Sequence, residues 1–541
     1  MKKTILITGL VLLAVMTINA QEIFDAVRNG DIAKVKDLVE KDLQLVKVRN
    51  ARQSTLLHVA ADVNNGQIVS YLLEKGADPN AKGNNDWTPL LYAKSIEIAK
   101  LLVKNGADIN EGMPIAWALL TGRKDVVDYL IEMDAKLPEA NTSQGLLFLV
   151  RSLRCGSTKL LNIYLQQGFD LYYESKIKNN LLHYASESNS TELIGQLIDS
   201  GIPANKTNIF GWTPLHIAAA NGNLEVVKSL LKRGVDFNVR TNDGKTPFNL
   251  AVDANNNETA EYLKSIGADQ SPQKFPDLNG EYMGQAIPGN KAVIFAPGIL
   301  NPKHEYHGAI VFSPDGNEMY WSAYVDDKGA SILRSQRING KWGKPEVFSR
   351  GDVPFISPDG NKFYYVAFRQ VESVTKEVIY VMEKTTSGWS EAKEMPEIIN
   401  SAANVHWQAS VDNNGNLYWG ASQDMGSRIY YSALKEGKYT EPEVISALKD
   451  IEAFSPYIAP DGSYLIFSTV SEGENLSISF KKGDGTWTNG VDISNYIGTK
   501  GAFCPFVTHD GKYLFFVCSI DGQYAHFWID TSFIEDLRTK K

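Results

Sequence analysis

The sequence of 541 residues contains only three cysteines, Cys155, Cys504 and Cys518. Because no CxxC pair is present, the spacing typical of structural zinc sites is excluded. Cys155 is best explained as a small, buried apolar residue. Cys504 and Cys518 flank a turn at Asp510-Gly511, so we expect two packed thiols there, with a disulfide as the alternative.

Catalytic signatures are also lacking. The sequence has no nucleophile elbow, no glycine-rich phosphate loop, no HExxH pair and no EF-hand loop. It has no run of like charges that would suggest a polybasic anchor or an acidic tail. A formal net charge of −9 argues against a nucleic acid partner, which needs a basic surface. We therefore expect no enzyme activity, no cofactor and no bound metal.

The first twenty residues have the pattern of a secretory signal peptide. Lys2 and Lys3 precede an apolar segment, residues 5–16, and Ala20 is a small residue at the expected cleavage point before Gln21. The apolar segment is shorter than the roughly 20 residues of a spanning helix, so an uncleaved anchor is the less favoured alternative. We expect residues 1–20 to be removed, and the mature chain to be periplasmic or secreted by a bacterium, without a membrane span.

A repeat of 33 residues runs through the first half of the chain. Thr55 and Thr88, Asn180 and Thr213, and Thr213 and Thr246 are each 33 residues apart. Similar strings begin at these positions, among them TLLHVAA, NLLHYAS and TPLHIAA. A period of this length predicts a stacked helical solenoid, because one helix pair cannot bury its apolar face alone.

These strings resemble the ankyrin repeat, whose signature Thr-Pro-Leu-His-x-Ala is matched in full by residues 213–218. Each unit closes with a Gly-x-Asp turn, as at Gly234-Val235-Asp236, where we expect the glycine to adopt a left-handed helix cap. Units laid end to end give about eight repeats over residues 21–270, with a weak match between Met113 and Ser175. The resemblance implies that His58, His183 and His216 link neighbouring turns by hydrogen bonds.

Trp87 and Trp212 immediately precede Thr-Pro pairs at the tips of the turns. Exposed aromatic side chains at such tips would suit contact with a protein partner. Packing against the next repeat is the alternative interpretation. We therefore retain both residues as candidate binding residues of the ankyrin domain.

The composition changes after Gln270, where residues 271–281 are expected to form a linker. Beyond it, aromatic and β-branched runs predict strands. Turns of the Asp-Gly type recur every 44 to 55 residues, with their glycines at Gly316, Gly360, Gly415, Gly462 and Gly511. Asp and Gly suit hairpin turns, which explains these pairs better than a calcium or catalytic array. A strand at residues 292–295 lies before the first turn, and we expect it to complete the last sheet and close a ring.

The Ser-Pro-Asp-Gly turns resemble those of the TolB-like, WD-repeat-like β-propellers of the bacterial envelope. The resemblance covers residues 282–541, apart from a few C-terminal residues, and is weakest at the third turn, which has no proline. We therefore predict a multidomain protein, an all-α ankyrin solenoid followed by an all-β propeller. Five turns indicate five blades, with six as the alternative.

Ligands of propellers commonly bind where the innermost strands enter the central channel. The candidate binding residues at this channel mouth lie a few positions before each turn glycine; they are His307, Arg350, His406, Trp407, Glu452, Phe454 and Phe503. Metal binding through His307, His406 and Glu452 is one hypothesis. We favour an ordinary polar channel mouth, because a site needs demonstrated geometry.

Two repeat domains without a catalytic motif favour a non-enzymatic binding scaffold that uses the ankyrin concave face and the propeller. A protein partner is expected, and a glycan is a further candidate ligand. The alternative is a carbohydrate-active propeller enzyme, a lyase or hydrolase, with the ankyrin domain as its targeting arm. A glycoside hydrolase needs two carboxylates in one pocket, and the predicted channel mouth supplies only Glu452.

Overall fold

A computed structural model of the chain describes residues 20–300, 308, 310–325, 329–371, 374–403, 405–423, 426–470, 475–520 and 522–539. The predicted signal peptide therefore lies outside the described residues, except for Ala20. Contacts divide the chain into two compact units. The first comprises the residues up to Asn208, Trp212–Val239 and Thr246–Gln270, and the second comprises Ile209–Gly211, Arg240–Lys245 and the residues from Ser271 onward.

The first unit consists of successive helix pairs. Its helices are α1 (residues 20–28), α2 (Ile32–Lys41), α3 (Leu56–Asp62), α4 (Gly66–Glu74), α5 (Ile96–Lys104), α6 (Pro114–Leu120), α7 (Lys124–Glu132), α8 (Ser143–Cys155), α9 (Lys159–Gln166), α10 (Leu181–Ala185), α11 (Thr191–Asp199), α12 (Pro214–Asn221), α13 (Leu224–Lys232), α14 (Pro247–Asp253) and α15 (Asn257–Ser265). A short 3-10 helix, Pro89–Tyr92, pairs with α5 and takes the place of a first helix. The first helices stack on one another and so do the second helices, which gives two layers.

Each signature turn starts its helix with a reciprocal cap. The backbone N–H of Thr213 donates to Nδ1 of His216 over 3.1 Å, and the hydroxyl of Thr213 accepts the N–H of His216. The pairs Thr55–His58, Asn180–His183 and Thr246–Asn249 form the same capping box. Such a cap satisfies backbone donors that the helix itself leaves unpaired.

The histidines of the signature also connect one repeat to the next. Because Nδ1 accepts a hydrogen bond in the cap, Nε2 carries the proton. It donates to the backbone oxygen of the residue before the next signature, from His58 to Trp87 over 2.9 Å and from His183 to Trp212 over 3.1 Å. The structural role that the resemblance implied is therefore confirmed for His58 and His183.

A second link between repeats is formed by the asparagines that follow the closing turns. The side-chain oxygen of Asn238 accepts the backbone N–H of Asp269 over 2.8 Å. Equivalent bonds join Asn80 to Asp108 and Asn110 to Lys136. The glycines of the closing turns have positive φ, for example 79° at Gly234 and 86° at Gly267, which confirms the predicted left-handed caps.

The second unit is built of strands. Two short strands come first: β1 (Leu278–Asn279) and β2 (Val293–Ile294). The others are β3 (Val311–Phe312), β4 (Glu318–Tyr324), β5 (Ala330–Ile338), β6 (Lys341–Trp342), β7 (Glu346–Arg350), β8 (Asp352–Ile356), β9 (Lys362–Val371), β10 (Val374–Thr385), β11 (Gly388–Trp389), β12 (Lys393–Glu394), β13 (Val405–Val411), β14 (Leu417–Gln423), β15 (Gly426–Ser432), β16 (Leu434–Lys435), β17 (Lys438–Tyr439), β18 (Glu443–Val444), β19 (Ala453–Ile458), β20 (Tyr464–Thr469), β21 (Asn475–Phe480), β22 (Val491–Asp492), β23 (Ala502–Val507), β24 (Tyr513–Ile520) and β25 (Gln523–Asp530). Three short helices complete the unit: α16 (Glu397–Asn400), α17 (Ser494–Ile497) and α18 (Ser532–Thr539).

These strands form five antiparallel blades of a β-propeller, as five turns predicted. From the innermost strand outward, the blades are β3-β4-β5-β7, β8-β9-β10-β12, β13-β14-β15-β18, β19-β20-β21-β22 and β23-β24-β25-β2. Strands β20, β21 and β24 are buried along nearly their whole length, not at alternate residues. This is expected when a sheet packs against other sheets on both faces.

The ring closes through a strand from the beginning of the unit. Strand β2 pairs with β25, with Val293 opposite Trp528 and Ile294 opposite Phe527. Phe295, which follows β2, packs edge-on against Phe515 and Trp528 at ring centroid distances of 5.1 and 5.2 Å. The prediction that residues 292–295 complete the last sheet is confirmed. The closing strand removes the free edge of the last blade.

The Asp-Gly pairs are hairpin turns, as predicted. At the first of them, the hydroxyl of Ser313 contacts Oδ1 of Asp315 at 2.6 Å, and the N–H of Asn317 donates to the same carboxylate oxygen. Gly316 follows with a φ of 66°. Ser357 with Asp359, and Thr508 with Asp510, repeat the arrangement. Each aspartate thus caps its own turn.

We predict that replacing Asn238 with alanine will destabilise the last ankyrin repeat. The change leaves the N–H of Asp269 without its acceptor, which should lower the free energy of unfolding by about 1 kcal/mol. Thermal unfolding followed by circular dichroism at 222 nm measures the loss of helix. The control is N189A, at an exposed residue whose side chain has no hydrogen bond to another described residue. Equal stability of N238A and N189A would contradict the prediction.

We also predict that His183→Asn will change how stability depends on pH. Burial lowers the pKa of His183 from 6.5 to about 4, opposed by its bond to the Trp212 carbonyl. The unfolded chain therefore takes up a proton first as the pH falls below 6.5, and the native state loses about 3 kcal/mol of relative stability by pH 4. Asparagine keeps the cap, as Asn249 does in its own repeat, but it does not titrate.

At pH 7.5 the variant should be less stable than the wild type by about 1 kcal/mol, because the bond to Trp212 is lost. At pH 4.5 this deficit should disappear or reverse. Melting temperatures at both pH values, again from circular dichroism at 222 nm, make the comparison. A deficit of the same size at both pH values would show that His183 does not titrate as stated.

Candidate functional site

A cavity of about 900 Å³ lies where the innermost strands of the propeller begin. Residues of all five blades line it. It brings together five of the seven predicted channel-mouth residues: Arg350, His406, Trp407, Phe454 and Phe503. The cavity is therefore the candidate site of this unit, and the binding role of these residues stays a prediction.

The other two predicted residues are placed differently. Glu452 is exposed, lies beside Gly426 and is not part of the cavity wall. His307 lies outside the described residues. Metal binding through His307, His406 and Glu452 thus has no support from the arrangement of His406 and Glu452. Among the described residues, no group of three His, Cys, Asp or Glu side chains is placed to hold a metal ion.

Aromatic side chains form much of the cavity wall. Trp407 lies against Phe454 with ring centroids 5.7 Å apart, and Phe503 meets Tyr524 edge-on at 5.6 Å. Trp407 is 38% exposed, Tyr524 41% and Phe368 65%. Faces of large rings are thus available to a ligand, and such rings attract both apolar groups and cations.

A β-bulge opens the innermost strand in four of the blades. The register of pairing shifts between Asp352 and Phe355 in β8, and in the same way in β13, β19 and β23. In three of these strands the bulge residue has a positive φ, 45° at Val353, 48° at Ser455 and 51° at Cys504. Bulges redirect neighbouring side chains, and left-handed conformations of residues other than glycine are strained.

Side chains of the preceding blade hold these bulges in place. The N–H of Val353 donates to the hydroxyl of Ser322 over 2.8 Å, and the N–H of Cys504 donates to that of Ser468 over 3.3 Å. All three strained residues line the cavity. Backbone strain that is maintained by neighbouring groups is typical of binding and catalytic sites.

Two carboxylates that the sequence analysis did not select also line the cavity, Asp352 and Glu377. Burial raises the pKa of Glu377, a hydrogen bond from the backbone N–H of His406 lowers it, and the charge of Asp352 raises it further. The net result is a raised pKa for Glu377. The two carboxylates are therefore close enough to repel each other.

His406 holds Glu377 from the neighbouring blade. Its Nδ1 lies 2.7 Å from the backbone oxygen of Glu377, so Nδ1 must be the donor. The ring is only 2% exposed. Burial lowers the pKa of His406, against hydrogen bonding to the backbone of Glu377 and Ile399. The neutral ring then presents a lone pair at Nε2, which has no hydrogen bond partner among the described residues.

The position of Asp352 could have been found from the sequence. It precedes Gly360 by eight residues, as Trp407 precedes Gly415 and Phe454 precedes Gly462. Only the step from Arg350 and Gly351 to the next residue was missing. Glu377 gives no such signal, because it belongs to the third strand of its blade, β10.

Within the ankyrin unit, both predicted tip tryptophans are partly buried. The Trp87 ring packs against Trp117 with centroids 4.8 Å apart and also meets Tyr92. The Trp212 ring lies 6.4 Å from that of His216. Packing within the stack, the alternative interpretation, therefore describes both residues, and their role in binding stays a prediction.

The cysteines agree with the expectation of packed thiols. Cys155, Cys504 and Cys518 are free, and the last two are buried. Ala502, not Cys504, lies opposite Cys518 in the pairing of β23 with β24. The thiol of Cys504 contacts Ser455 in the cavity wall at 3.6 Å.

Comparisons with known proteins identify the first unit. Residues 23–113 and 182–274 match the family model of ankyrin repeats (3 copies). The chain is 43% identical over 68 residues to alpha-latrocrustotoxin-Lt1a of Latrodectus tredecimguttatus, which is 13% of this chain and 5% of that protein. It is 34% identical over 90 residues to ankyrin repeat domain-containing protein 40 of Mus musculus, which is 17% of this chain and 25% of that protein.

A third relative is the glycerophosphocholine phosphodiesterase gde1 of Schizosaccharomyces pombe, 34% identical over 92 residues, or 16% of this chain and 8% of that protein. The chain thus spans a quarter or less of the length of these three relatives. Ankyrin repeats imply protein partners, and proteins that share them are typically binding proteins. Within the described part of the chain, no helix is both long and apolar enough to cross a membrane.

We predict that Ser455→Gly will stabilise the propeller. Glycine adopts a φ of 48° without the cost that a side chain carries, which amounts to about 1 kcal/mol. The matched control is S427G, the same change at another cavity residue, which has no positive φ. Urea unfolding followed by tryptophan fluorescence should give a higher midpoint for S455G and a lower one for S427G. A lower midpoint in both variants would show that the bulge at Ser455 is not strained.

Proposed function

We propose that this chain is an exported, non-enzymatic binding protein of the bacterial envelope, which binds a protein through its ankyrin repeats and a smaller group through its propeller. The proposal of export rests on the pattern of residues 1–20. The Ser-Pro-Asp-Gly turns support a TolB-like propeller. The two binding surfaces are supported separately by features of the two units.

The observation that carries the proposal for the ankyrin unit is an apolar stripe on α6. Met113, Trp117 and Leu120 are spaced four and three residues apart, which places them on one face of a helix. Met113 is 43% and Leu120 54% exposed, while Ile115, Ala118 and Leu119 on the other face are buried. Neighbouring α8 contributes Leu147, also exposed. Exposed apolar side chains on adjacent helices are typical of protein interfaces.

For the propeller, the cavity of about 900 Å³ has the properties of a ligand site. Its wall is mostly aromatic and aliphatic, with a few polar groups, and it is held by strained bulges. The cavity is large enough for a side chain or a small molecule, so we assign it a ligand separate from the surface on α6.

The test uses the double variant M113E/L120E of the full chain. Proximity crosslinking in envelope fractions should capture a protein with the wild type and lose at least nine tenths of it with the variant. Both residues are exposed, so the variant should keep its circular dichroism spectrum. The control is L43E, because Leu43 is equally exposed but lies after α2.

Fractionation of cells tests export at the same time, with a chain lacking residues 2–20 as the control. The wild type should leave the cytoplasm and the shortened chain should not. Capture of the same protein by M113E/L120E would rule out the surface on α6, and retention of the wild-type chain in the cytoplasm would rule out export.

A second candidate, a carbohydrate-active enzyme, is favoured by one observation. Glycoside hydrolysis needs two carboxylates in one pocket, one of which stays protonated near neutral pH. Asp352 and Glu377 form such a pair, and the pKa of Glu377 is raised by burial and by Asp352. Release of reducing ends from envelope or plant polysaccharides by the wild type, and not by E377Q or D352N, would establish this function and overturn the non-enzymatic one.

A further inference from the structure

The two carboxylates of the cavity lack a compensating positive charge. Three influences act on the carboxyl group of Glu377: burial, the backbone N–H of His406 and the negative charge of Asp352. None of these is a cation. Arg350, the cationic side chain of the described cavity wall, is exposed and donates to the hydroxyl of Ser331 over 2.8 Å. A half-buried pair of like charges is unfavourable until a cation joins it.

A third acceptor belongs to the same cavity. His406 is 2% exposed and lines the cavity, and its Nδ1 donates to the backbone of Glu377. Nε2 is therefore an acceptor, and it has no hydrogen bond partner among the described residues. A buried acceptor without a donor is costly. The cavity thus offers two carboxylates and an imidazole lone pair to a group that carries several N–H donors.

The remaining wall suits a carbon chain attached to such a group. Trp407 and Phe454 form one aromatic pair, and Phe503 and Tyr524 form another. Aromatic faces bind the methylene groups next to an ammonium nitrogen by dispersion, and they attract its charge. The same rings would also bind the apolar face of a sugar, so the acceptors must decide between the two ligands.

We propose that the cavity binds an aliphatic primary ammonium group, with Asp352, Glu377 and Nε2 of His406 accepting its N–H bonds. This inference rests on the proposed ligand-binding role of the cavity and names the chemistry of its ligand. The group is either the side chain of a lysine or a free alkylamine. A neutral sugar would leave the two carboxylates uncompensated, and a trimethylated ammonium group would have no N–H for His406.

The experiment is isothermal titration of the full chain with a matched series of probes. N-acetyl-lysine methylamide carries the charge and the N–H bonds, its Nε-acetyl form lacks the charge, and its Nε-trimethyl form keeps the charge without N–H. Butylammonium tests the free amine, and chitotriose represents a neutral glycan. The lysine probe should bind at least tenfold more tightly than the acetylated and trimethylated forms. Tighter binding than butylammonium identifies a lysine side chain as the ligand, and equal binding identifies a free amine.

Two conservative variants test the acceptors. E377Q and D352N remove one charge each with little change in shape, and each should weaken binding of the lysine probe about tenfold, because charge-assisted hydrogen bonds are lost. The control is E383Q, on the same strand as Glu377 but exposed and outside the cavity wall. Melting temperatures of all three variants exclude unfolding as the cause, and D352N still provides the test if E377Q is unstable.

Four results would overturn the inference. One is equal binding of the lysine probe and its acetylated form, because the charge would then not be recognised. The second is equal binding of the lysine probe and its trimethylated form, because the N–H bonds would then not be needed. The third is unchanged binding by E377Q and D352N. The fourth is no binding of either amine. Binding of chitotriose in that last case would leave the proposed ligand-binding role of the cavity intact and refute only the ammonium ligand, whereas the crosslinking experiment decides the protein-binding role independently.

Discussion

In both units of this chain, a repeat completes the hydrogen bonding of its neighbour. The oxygen of Asn238 takes up the N–H of Asp269 in the next ankyrin repeat, and Nε2 of His58 reaches the carbonyl of Trp87. In the propeller, the hydroxyl of Ser322 accepts the N–H of Val353 from the next blade. A helix pair or a small sheet cannot satisfy these groups or bury its apolar faces alone. Order therefore spreads from repeat to repeat, and both folds depend on this condition.

The ring adds a second condition, because its last blade must meet its first. Strand β2 completes the last blade through its pairing with β25, and Phe295 fills the space beside Phe515 and Trp528. Once the ring is closed, the first residues of the innermost strands point to one place. The cavity is therefore a consequence of closure. Its strained bulges at Val353, Ser455 and Cys504 persist because neighbouring blades, packed on both faces, leave them no room to relax.

Periodicity explains why so much of the fold was predictable. A spacing of 33 residues and five Asp-Gly turns identify two kinds of repeat, and the unpaired strand at residues 292–295 identifies the closure. The convergence of Arg350, His406, Trp407, Phe454 and Phe503 follows from their equal distances to the turns. Glu452 does not follow this rule, because it precedes β19 and the alternation of side chains begins only within the strand.

What the sequence could not supply were the contacts between repeats and between strands. Asn238 looks like an ordinary turn residue until the next repeat is placed beside it. Glu377 sits on a third strand, whose distance from the turn varies between blades, so its approach to Asp352 requires coordinates. The continuous burial of β20 and β21 likewise depends on sheets packing on both faces, a tertiary effect that overrides the usual alternation.

The arrangement around Glu377 is the part of the structure that folding alone explains least. A protein that needed only stability would place an apolar residue at this position, because a half-buried carboxylate beside another one is unfavourable. Instead, His406 binds Glu377 twice, with its ring to the carbonyl and with its backbone N–H to the carboxyl group. Holding a repelled charge in a fixed position destabilises the empty cavity and prepares it for a positive ligand, since the ligand then meets acceptors that need no rearrangement. The electrostatic cost in the free protein and the selectivity for a cation are two consequences of the same geometry.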